Sequence, residues 1–419
     1  MRIAFVGVAA LLTLAAACDD GSVGSGGGDT TGPGSGPGTG AGSPTSTNGT
    51  ASGPTSTTTS GAGGEAPCTG TTLAELTEVS TVTIASAASS AKALYAESPT
   101  GAYVAWAAAD GVHITTLDSQ GAPVGSDIVV AALEPFGLVA DGDLFLLASR
   151  SPDFMTFFRI DPTGTVEVSV DLVGGGDHMV EGVEWFGEFA RTGRLVLMPS
   201  GQLAAYFALH RRWPDGIGHQ GDTLRLLDAD GNPSGGGWGW GCSHSMDQLL
   251  GTSGAMLAPI CISDCYPQKG VFFNHDQTML IDDPTANCAG GFTTILGGIA
   301  GVADGIWVAF GKQGAGGYDM QLSKLDMGGA VAASVPLGTS SGGARRLAAY
   351  DGGLLLGASE NGMTTLQRYD LAGTAVGQPE TIAASLPSQD MTSLSNGEAA
   401  WAWTEGTSLK VAHVQVCAN

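Results

Sequence analysis

The stretch LQRYDLAGTAVGQPETI (366–382) decides the fold. An apolar strand ends at Asp370, Gly373 follows three positions later, and a second strand begins after the glycine. In such a D-x-x-G turn the aspartate caps backbone amides and the glycine takes a positive φ. The stretch therefore predicts a β-hairpin.

The same hairpin recurs along the chain. Its other copies are HITTLDSQGAPVGSDIVV (113–130), TFFRIDPTGTVEVSVDLV (156–173), LRLLDADGNPSGGGW (224–238) and LSKLDMGGAVAASVPL (322–337). The turn aspartates are Asp118, Asp161, Asp228, Asp326 and Asp370, with spacings of 43, 67, 98 and 44 residues. The spacing of 98 is close to two periods, and 67 is one period plus an insertion. Because each aspartate belongs to a D-x-x-G turn, we predict turn formers rather than calcium ligands.

The repeat predicts an all-β fold, a β-propeller of seven four-stranded blades. A strand pair precedes each hairpin, as in GIWVAFGKQG (305–314), so that each period supplies four strands. The expected blades lie near 87–130, 131–173, 188–240, 241–293, 294–337 and 338–384. The last set, 391–417, supplies only three strands, and we expect an N-terminal strand at 76–86 to join it and close the ring. A β-sandwich is the competing fold, but it explains neither the period nor the incomplete last set.

The first 18 residues, MRIAFVGVAALLTLAAAC, read as an export signal. The apolar run after Arg2 is too short to favour a spanning helix, and it ends in small residues. The end LAAAC resembles the bacterial lipobox, which implies that Cys18 becomes the lipidated first residue of the mature protein. An ordinary signal peptide with an incidental cysteine is the alternative. We expect anchoring in the outer membrane or at the cell surface, and Asp19 keeps the inner membrane, facing the periplasm, as an alternative.

Residues 19–67 consist almost entirely of Gly, Ser, Thr, Pro and Ala, so they bury too little apolar surface to fold. A flexible tether of this composition and length has a root-mean-square end-to-end distance of roughly 35–40 Å. Across residues 68–417 the chain resembles lipid-anchored bacterial propeller proteins, and the resemblance implies architecture without fixing an activity. We therefore divide the chain into a signal peptide (1–17), a lipidated cysteine with a disordered tether (18–67) and a propeller domain (68–419).

The charge balance limits the partners of the chain. It carries 16 basic and 40 acidic residues, a net charge of −24. This charge opposes binding to nucleic acids or to anionic lipid surfaces and favours solubility. We expect a monomer that contacts the membrane through its N-terminal lipid and takes a protein or carbohydrate ligand.

Six cysteines follow Cys18, namely Cys68, Cys242, Cys261, Cys265, Cys288 and Cys417. An even number in an exported chain favours disulfides, and six cysteines allow 15 pairings. Cys68 and Cys417 would fasten the two ends of the closing blade. Among the other four, the pairs Cys242–Cys261 and Cys265–Cys288 are preferred, although other pairings remain open. A zinc site at CISDC (261–265) is the alternative, but its spacing is wider than C-x-x-C.

Four irregular segments should meet on one face of the third and fourth blades, because loops between second and third strands share a face with the connections between blades. They are WPDGIGHQGD (213–222), GWGWGCSHSMD (237–247), CISDCYPQKG (261–270) and DDPTANCAGG (282–291). Their candidate ligand-binding or metal-binding residues are His219, Asp222, His244, Asp247, Asp264, Trp213 and Trp240.

These residue types permit three interpretations. The histidines can donate hydrogen bonds that hold long loops in place. Together with the carboxylates, they can instead bind a divalent metal such as Zn²⁺ or act as an acid/base pair. The tryptophans can stack on a sugar ring or fill space between glycines. We expect a binding or scaffold module with no cofactor beyond a possible divalent metal. The alternative is an extracytoplasmic hydrolase or lyase that uses His219 and His244 with Asp222 or Asp247.

Overall fold

The structure, a computed structural model, describes most of the region after residue 74. The described residues are 75–84, 87–151, 154–172, 184–186, 192–212, 216, 218–243, 247–265, 268–273, 278–283, 293–350, 352–361, 363–395 and 398–416. The predicted signal peptide, Cys18 and the tether lie outside them. Within the described residues, no helix has the length and apolar character needed to span a bilayer.

The described strands form seven antiparallel sheets. The innermost strands of successive sheets contact one another in chain order, and the last sheet contacts the first. The chain is therefore an all-β, seven-bladed propeller, which confirms the fold predicted from the repeat.

Each blade is numbered by its place along the chain, and its strands run from the ring axis outward. The first described strand is β1 (Glu75–Thr83), which belongs to blade seven. Blade one contains β2 (Ala88–Ser98), β3 (Gly101–Ala108), β4 (Gly111–Asp118) and β5 (Ile128–Val130). Blade two contains β6 (Glu134–Asp141), β7 (Asp143–Ser151), β8 (Phe154–Ile160) and β9 (Val166–Leu172). Blade three contains β10 (Glu184–Phe186), β11 (Gly193–Leu197), β12 (Leu203–Arg212), β13 (Gly218–Leu227) and β14 (Pro233–Trp238).

The remaining blades keep the four-stranded pattern. Blade four contains β15 (Gln248–Ser253), β16 (Met256–Ser263), β17 (Gly270–Phe273) and β18 (Thr278–Asp282). Blade five contains β19 (Thr294–Val302), β20 (Gly305–Gly314), β21 (Gly317–Leu325) and β22 (Val331–Ser340). Blade six contains β23 (Arg345–Tyr350), β24 (Gly353–Glu360), β25 (Met363–Asp370) and β26 (Ala375–Ile382). Blade seven contains β27 (Thr392–Ser393), β28 (Ala399–Glu405), β29 (Ser408–Gln415) and β1.

The ring closes through β1, as predicted. This strand pairs antiparallel with β29, from Glu75 opposite Gln415 to Thr83 opposite Ser408. The outermost strand of blade seven thus comes from the start of the domain, and the other three strands come from its end.

Apolar side chains fill the seams between neighbouring blades. At the closing seam, Trp106 of blade one packs in one cluster with Leu409 and Val411 of blade seven. Leu94 of blade one packs with Leu146 of blade two in the same way. Burying a side chain of this size contributes about 1.5–3 kcal/mol, so the seams hold the ring together.

Blade three departs from the pattern at its inner edge. β10 and β11 both pair with β12, β10 near its end and β11 near its start. The inner position is therefore divided between two short segments. This division coincides with the insertion that the spacing of 67 residues indicates.

The D-x-x-G motifs form one recurring turn. In the turn after β25, Oδ1 of Asp370 accepts hydrogen bonds from the amides of Ala372 (2.9 Å) and Thr374 (2.8 Å). The amide of Gly373 donates to the carbonyl of Asp370, and Gly373 has a φ of 83°. The same pair of amide bonds is made by Asp118, Asp161, Asp228 and Asp326. These contacts confirm that the five aspartates form turns.

The alternation of strands assigns every connection to a face of the ring. Connections between blades and loops between second and third strands lie on one face, which we call the upper face. The D-x-x-G turns lie on the opposite, lower face. Of the four irregular segments singled out in the sequence, the described residues Cys242 and Cys261 lie together at the upper face, where they are bonded to each other.

Candidate functional site

A disulfide joins blades three and four at the upper face. Cys242, in the connection between the blades, is bonded to Cys261 of β16, with their Cα atoms 6.2 Å apart. Both cysteines are fully buried. The bond confirms the predicted pair, and it ties a long connection to a strand of the next blade.

The other predicted disulfides are not tested by the described residues. Cys265 is disulfide-bonded, and its partner lies outside the described residues. Cys68, Cys288 and Cys417 also lie outside them. The pairs Cys265–Cys288 and Cys68–Cys417 therefore stay predictions.

Asp222 lies in a strand rather than in a loop, which corrects the predicted extent of segment 213–222. β12 and β13 pair continuously from Leu203 opposite Leu227 to Arg212 opposite Gly218. This ladder includes Asp222, which pairs with Ala208. β12 continues to Arg212 and β13 begins at Gly218, because the two strands continue to hydrogen-bond beyond the end expected from the sequence.

The side chain of Asp222 is the centre of a buried network. It has no exposed surface, and its Oδ2 accepts a hydrogen bond of 2.6 Å from the hydroxyl of Tyr206. Its Oδ1 accepts one from the amide of Cys242 at 3.1 Å and one from Nε1 of Trp238 at 3.4 Å. Because these donors come from β12, β14 and the connection that follows β14, Asp222 holds three parts of the chain together.

The network also determines the protonation state of the Tyr206 hydroxyl. Burial, followed by the negative charge of Asp222, raises the pKa of Tyr206 well above its usual value. The hydroxyl therefore stays protonated and keeps donating to the carboxylate. Asp222 has no surface through which it could exchange a proton with a substrate, so the geometry suits a structural role.

Two glycines of this region are required by close packing. A Cβ on Gly241 would collide with Oδ1 of Asp222. A Cβ on Gly221 would lie 2.8 Å from the ring of Trp240, so the indole packs directly over the backbone of β13. Trp240, one of the predicted sugar-stacking residues, thus fills the space above a glycine and is partly buried.

The other predicted site residues are only partly described. Asp247 is partly buried, and its Oδ1 lies 3.4 Å from a terminal nitrogen of Arg194 in β11. Asp264 is partly buried just after β16, which extends to Ser263, so the loop predicted at 261–270 begins later than expected. Trp213, His244 and the side chain of His219 lie outside the described residues.

The possible divalent metal remains a prediction. One carboxylate oxygen of Asp222 and the sulfurs of Cys242 and Cys261 all lie within 4.8 Å of one another. Thiolates would make this a plausible set of zinc ligands. A disulfide offers no thiolate, so the group would bind a metal only after reduction.

A cavity of about 470 Å³ lies along the ring axis, and the sequence did not point to it. The innermost strands of all seven blades line it. Its polar lining includes Tyr95, Glu97, Arg194, Gln389 and Asp390. We call this cavity the central channel.

The connection between blades six and seven covers the upper end of the central channel. The side-chain amide of Gln389 crosses the axis and donates to the carbonyls of Phe136 (2.6 Å) and Gly193 (3.1 Å) in blades two and three. Arg346 of β23 donates to the carbonyls of Pro387 (2.9 Å) and Ser388 (2.8 Å). The segment is thus attached to both sides of the ring.

Asp390 completes this attachment. Its Oδ1 accepts hydrogen bonds from the amides of Ile299 (3.1 Å) and Leu347 (3.0 Å), which belong to blades five and six. Burial raises the pKa of Asp390 to about 6, although Arg346 and Arg194 act in the opposite direction. The upper end of the channel therefore contains an ionisable group whose charge changes near neutral pH.

Sequence reasoning missed this site because its residues carry no motif. Gln389 and Phe136 are 253 positions apart, and only the closed ring brings them together. The one signal in the sequence is a pair of polar residues, Gln389 and Asp390, directly before the last innermost strand.

Comparison with known proteins finds only distant similarity to solved structures. No protein-family model matches the chain, and no curated protein matches it. An oxidoreductase (glucose dehydrogenase) from Thermus thermophilus is similar at 11% identity, with 81% of this chain and 99% of that chain covered and a TM-score of 0.42. The Dos1 propeller is similar at 9% identity, with 75% and 76% covered and a TM-score of 0.42. A prolyl endopeptidase is similar at 11% identity and a TM-score of 0.44; 76% of this chain and 49% of that chain are covered.

Proposed function

We propose that the protein is a lipid-anchored binding or scaffold module of the bacterial cell envelope. Its recognition surface is the upper face of blades three and four, which we call the stapled face. The anchor is the lipid on Cys18, and residues 19–67 hold the propeller away from the membrane.

The burial of Asp222 favours a binding function over catalysis. Asp222, one of the two carboxylates in the alternative acid/base group, has no exposed surface and accepts three hydrogen bonds from its own chain. A general acid or base has to reach a proton on the substrate. Asp222 instead accepts hydrogen bonds from Tyr206, Trp238 and Cys242, and these bonds make the surrounding loops rigid.

Rigidity favours a recognition surface. Loops that are already ordered lose little conformational entropy when a partner binds, so more of the contact energy appears as affinity. The Cys242–Cys261 bond and the Asp222 network both act on the same connection between blades three and four. Among the described residues, Cys242–Cys261 is the one disulfide whose two cysteines are both described, and it lies at this connection.

The experiment is site-specific photo-cross-linking in intact cells. A benzophenone amino acid is placed at Asp264, on the stapled face, and separately at Ser119, in an exposed turn of the lower face. We expect a discrete cross-linked species from position 264 and none from position 119. Equal products at both positions, or no product at position 264, would contradict the proposed surface.

A further inference from the structure

Two hydrogen-bond acceptors at the covered end of the central channel have no donor among the described residues. Asp390 uses only Oδ1 for the amides of Ile299 and Leu347, and no donor from the described part of the chain reaches its Oδ2. Gln389 uses only its nitrogen, for the carbonyls of Phe136 and Gly193, and its Oε1 likewise lacks a donor within the described ranges. Both residues line the cavity.

The nearby cations do not fill these positions. Arg346 donates to the carbonyls of Pro387, Ser388 and Arg345. Arg194 donates to the carbonyl of Gly193, and its nearest carboxylate contact is Asp247. The carboxylate of Asp390 is therefore poorly compensated.

The pKa of Asp390 supports the same interpretation. Burial outweighs the opposing effect of Arg346 and Arg194 and raises this pKa to about 6, so the partly buried carboxylate is less well stabilised in its charged form than a surface carboxylate. A ligand in the cavity that brings hydrogen-bond donors and a positive charge would stabilise the charged form.

The walls next to this polar end are largely apolar. They include Leu138, Leu195, Leu250, Ile299, Ala348 and Met391. The lower end of the channel is lined by Glu97, Thr252 and the exposed Ser393. With a net charge of −24, the protein attracts cations from solution rather than anions.

We propose that the central channel binds a small primary aliphatic amine. Its ammonium group donates hydrogen bonds to Oδ2 of Asp390 and Oε1 of Gln389, and its carbon chain lies along the apolar walls. A carboxylate ligand would be repelled by the negative charge of Asp390. An alcohol would offer a single hydrogen-bond donor and no positive charge, so it should bind less well than an amine. This site is independent of the stapled face, so either proposal can fail without the other.

The test uses the purified propeller with its tether and n-butylamine as the probe, titrated by saturation-transfer NMR at about 0.15 M salt to screen surface charge. Tetramethylammonium has the same charge but no N–H donor, and butan-1-ol has a donor but no charge. We expect saturable binding of butylamine and at least about tenfold weaker binding of both control probes.

Variants locate the binding. Asp390→Asn keeps an oxygen for the amides of Ile299 and Leu347 and removes the charge, so butylamine affinity should fall by about tenfold or more. Asp304→Asn, whose side chain is 70% exposed, is the matched control and should bind like the wild type. In the wild type, affinity should also fall between about pH 7.5 and pH 5, as Asp390 becomes protonated.

Three results would overturn the proposal. They are the absence of saturable butylamine binding, equal binding of tetramethylammonium, and unchanged affinity in Asp390→Asn. If Asp390→Asn does not fold, the pH dependence and the probe comparison on the wild-type protein decide the question. Binding that does not weaken towards pH 5 then counts against the site.

Discussion

The hydroxyl of Tyr206 donates a 2.6 Å hydrogen bond to Oδ2 of Asp222, and both side chains are completely buried in blade three. Because Asp222 also accepts from Trp238 and from the amide of Cys242, this pair connects two strands of the blade to the stapled face. The pair explains why a carboxylate in this region serves the architecture instead of a reaction.

Removal of the Tyr206 hydroxyl should destabilise the protein. Tyr206→Phe leaves a buried carboxylate oxygen without this donor, and we expect a loss of about 1–3 kcal/mol in the free energy of unfolding, measured by urea titration. Tyr318→Phe is the control, because no described residue hydrogen-bonds its hydroxyl, and it should change stability by less than about 0.5 kcal/mol. Equal losses in the free energy of unfolding from the two substitutions would show that the Tyr206–Asp222 hydrogen bond does not stabilise the protein.

The repeated turns should each contribute a similar amount. Asp370→Ala removes the acceptor for the amides of Ala372 and Thr374, which are exposed enough for water to replace it in part. We expect a loss of about 1 kcal/mol by urea titration, and the same for Asp326→Ala. The exposed Asp141, at the end of β6, makes no such bonds to the described residues, and Asp141→Ala should be close to neutral. A neutral Asp370→Ala would contradict the capping role.

Glu360 should make the protein sensitive to acid. Burial raises its pKa, but hydrogen bonds from Ser340, Ser341 and Arg345 outweigh it and lower the pKa to about 2. Because this folded pKa lies below the unfolded value of 4.5, the stabilisation is present above about pH 4.5 and is lost as the pH falls towards 2.

The substitution Glu360→Gln tests whether the charged form of Glu360 stabilises the folded protein above about pH 4.5. The variant should lose about 1–3 kcal/mol at neutral pH and show a shallower decline of stability between about pH 5 and pH 2. Glu405→Gln, which changes a side chain that is 67% exposed, is the control and should follow the wild type. If the stability of Glu360→Gln fell as steeply between about pH 5 and pH 2 as that of the wild type, Glu360 would not be the group responsible for the acid sensitivity. Urea titrations over a pH series supply the measurement.

The anchor makes a separate prediction. Cys18→Ser removes the only proposed site of lipid attachment, so the protein should move from the membrane pellet to the supernatant after cell fractionation. Mass spectrometry of the N-terminal peptide should then find acyl chains in the wild type and none in the variant. Ser22→Ala is the control in the tether and should stay with the membrane. A Cys18→Ser variant that remains in the pellet would exclude the lipid on this residue as the anchor.

The fold could be predicted because its signals are local and repeated. The D-x-x-G turns recur at one spacing, and the three-stranded set at the end of the chain required a strand such as β1. The same topology predicted that four cysteines lie on one face, and the preferred pair Cys242–Cys261 is the one that the structure confirms, although the sequence left other pairings open.

The sites were harder to predict because they depend on contacts between distant residues. Asp222 was expected in a loop, since no pattern shows that the β12–β13 ladder continues beyond it. Asp390 and Gln389 lie in a short connection with ordinary composition. Their chemistry arises only where the ring brings blades two, three, five and six around them.

We propose that the stapled face is a preorganised recognition surface. The most direct measurement is the yield of the photo-cross-link from position 264 in the wild type and in Cys242→Ser/Cys261→Ser, with circular dichroism to verify that both are folded. We predict that the yield falls several-fold in the double variant, because its loops must be ordered when the partner binds. An unchanged yield in a folded double variant would contradict the claim.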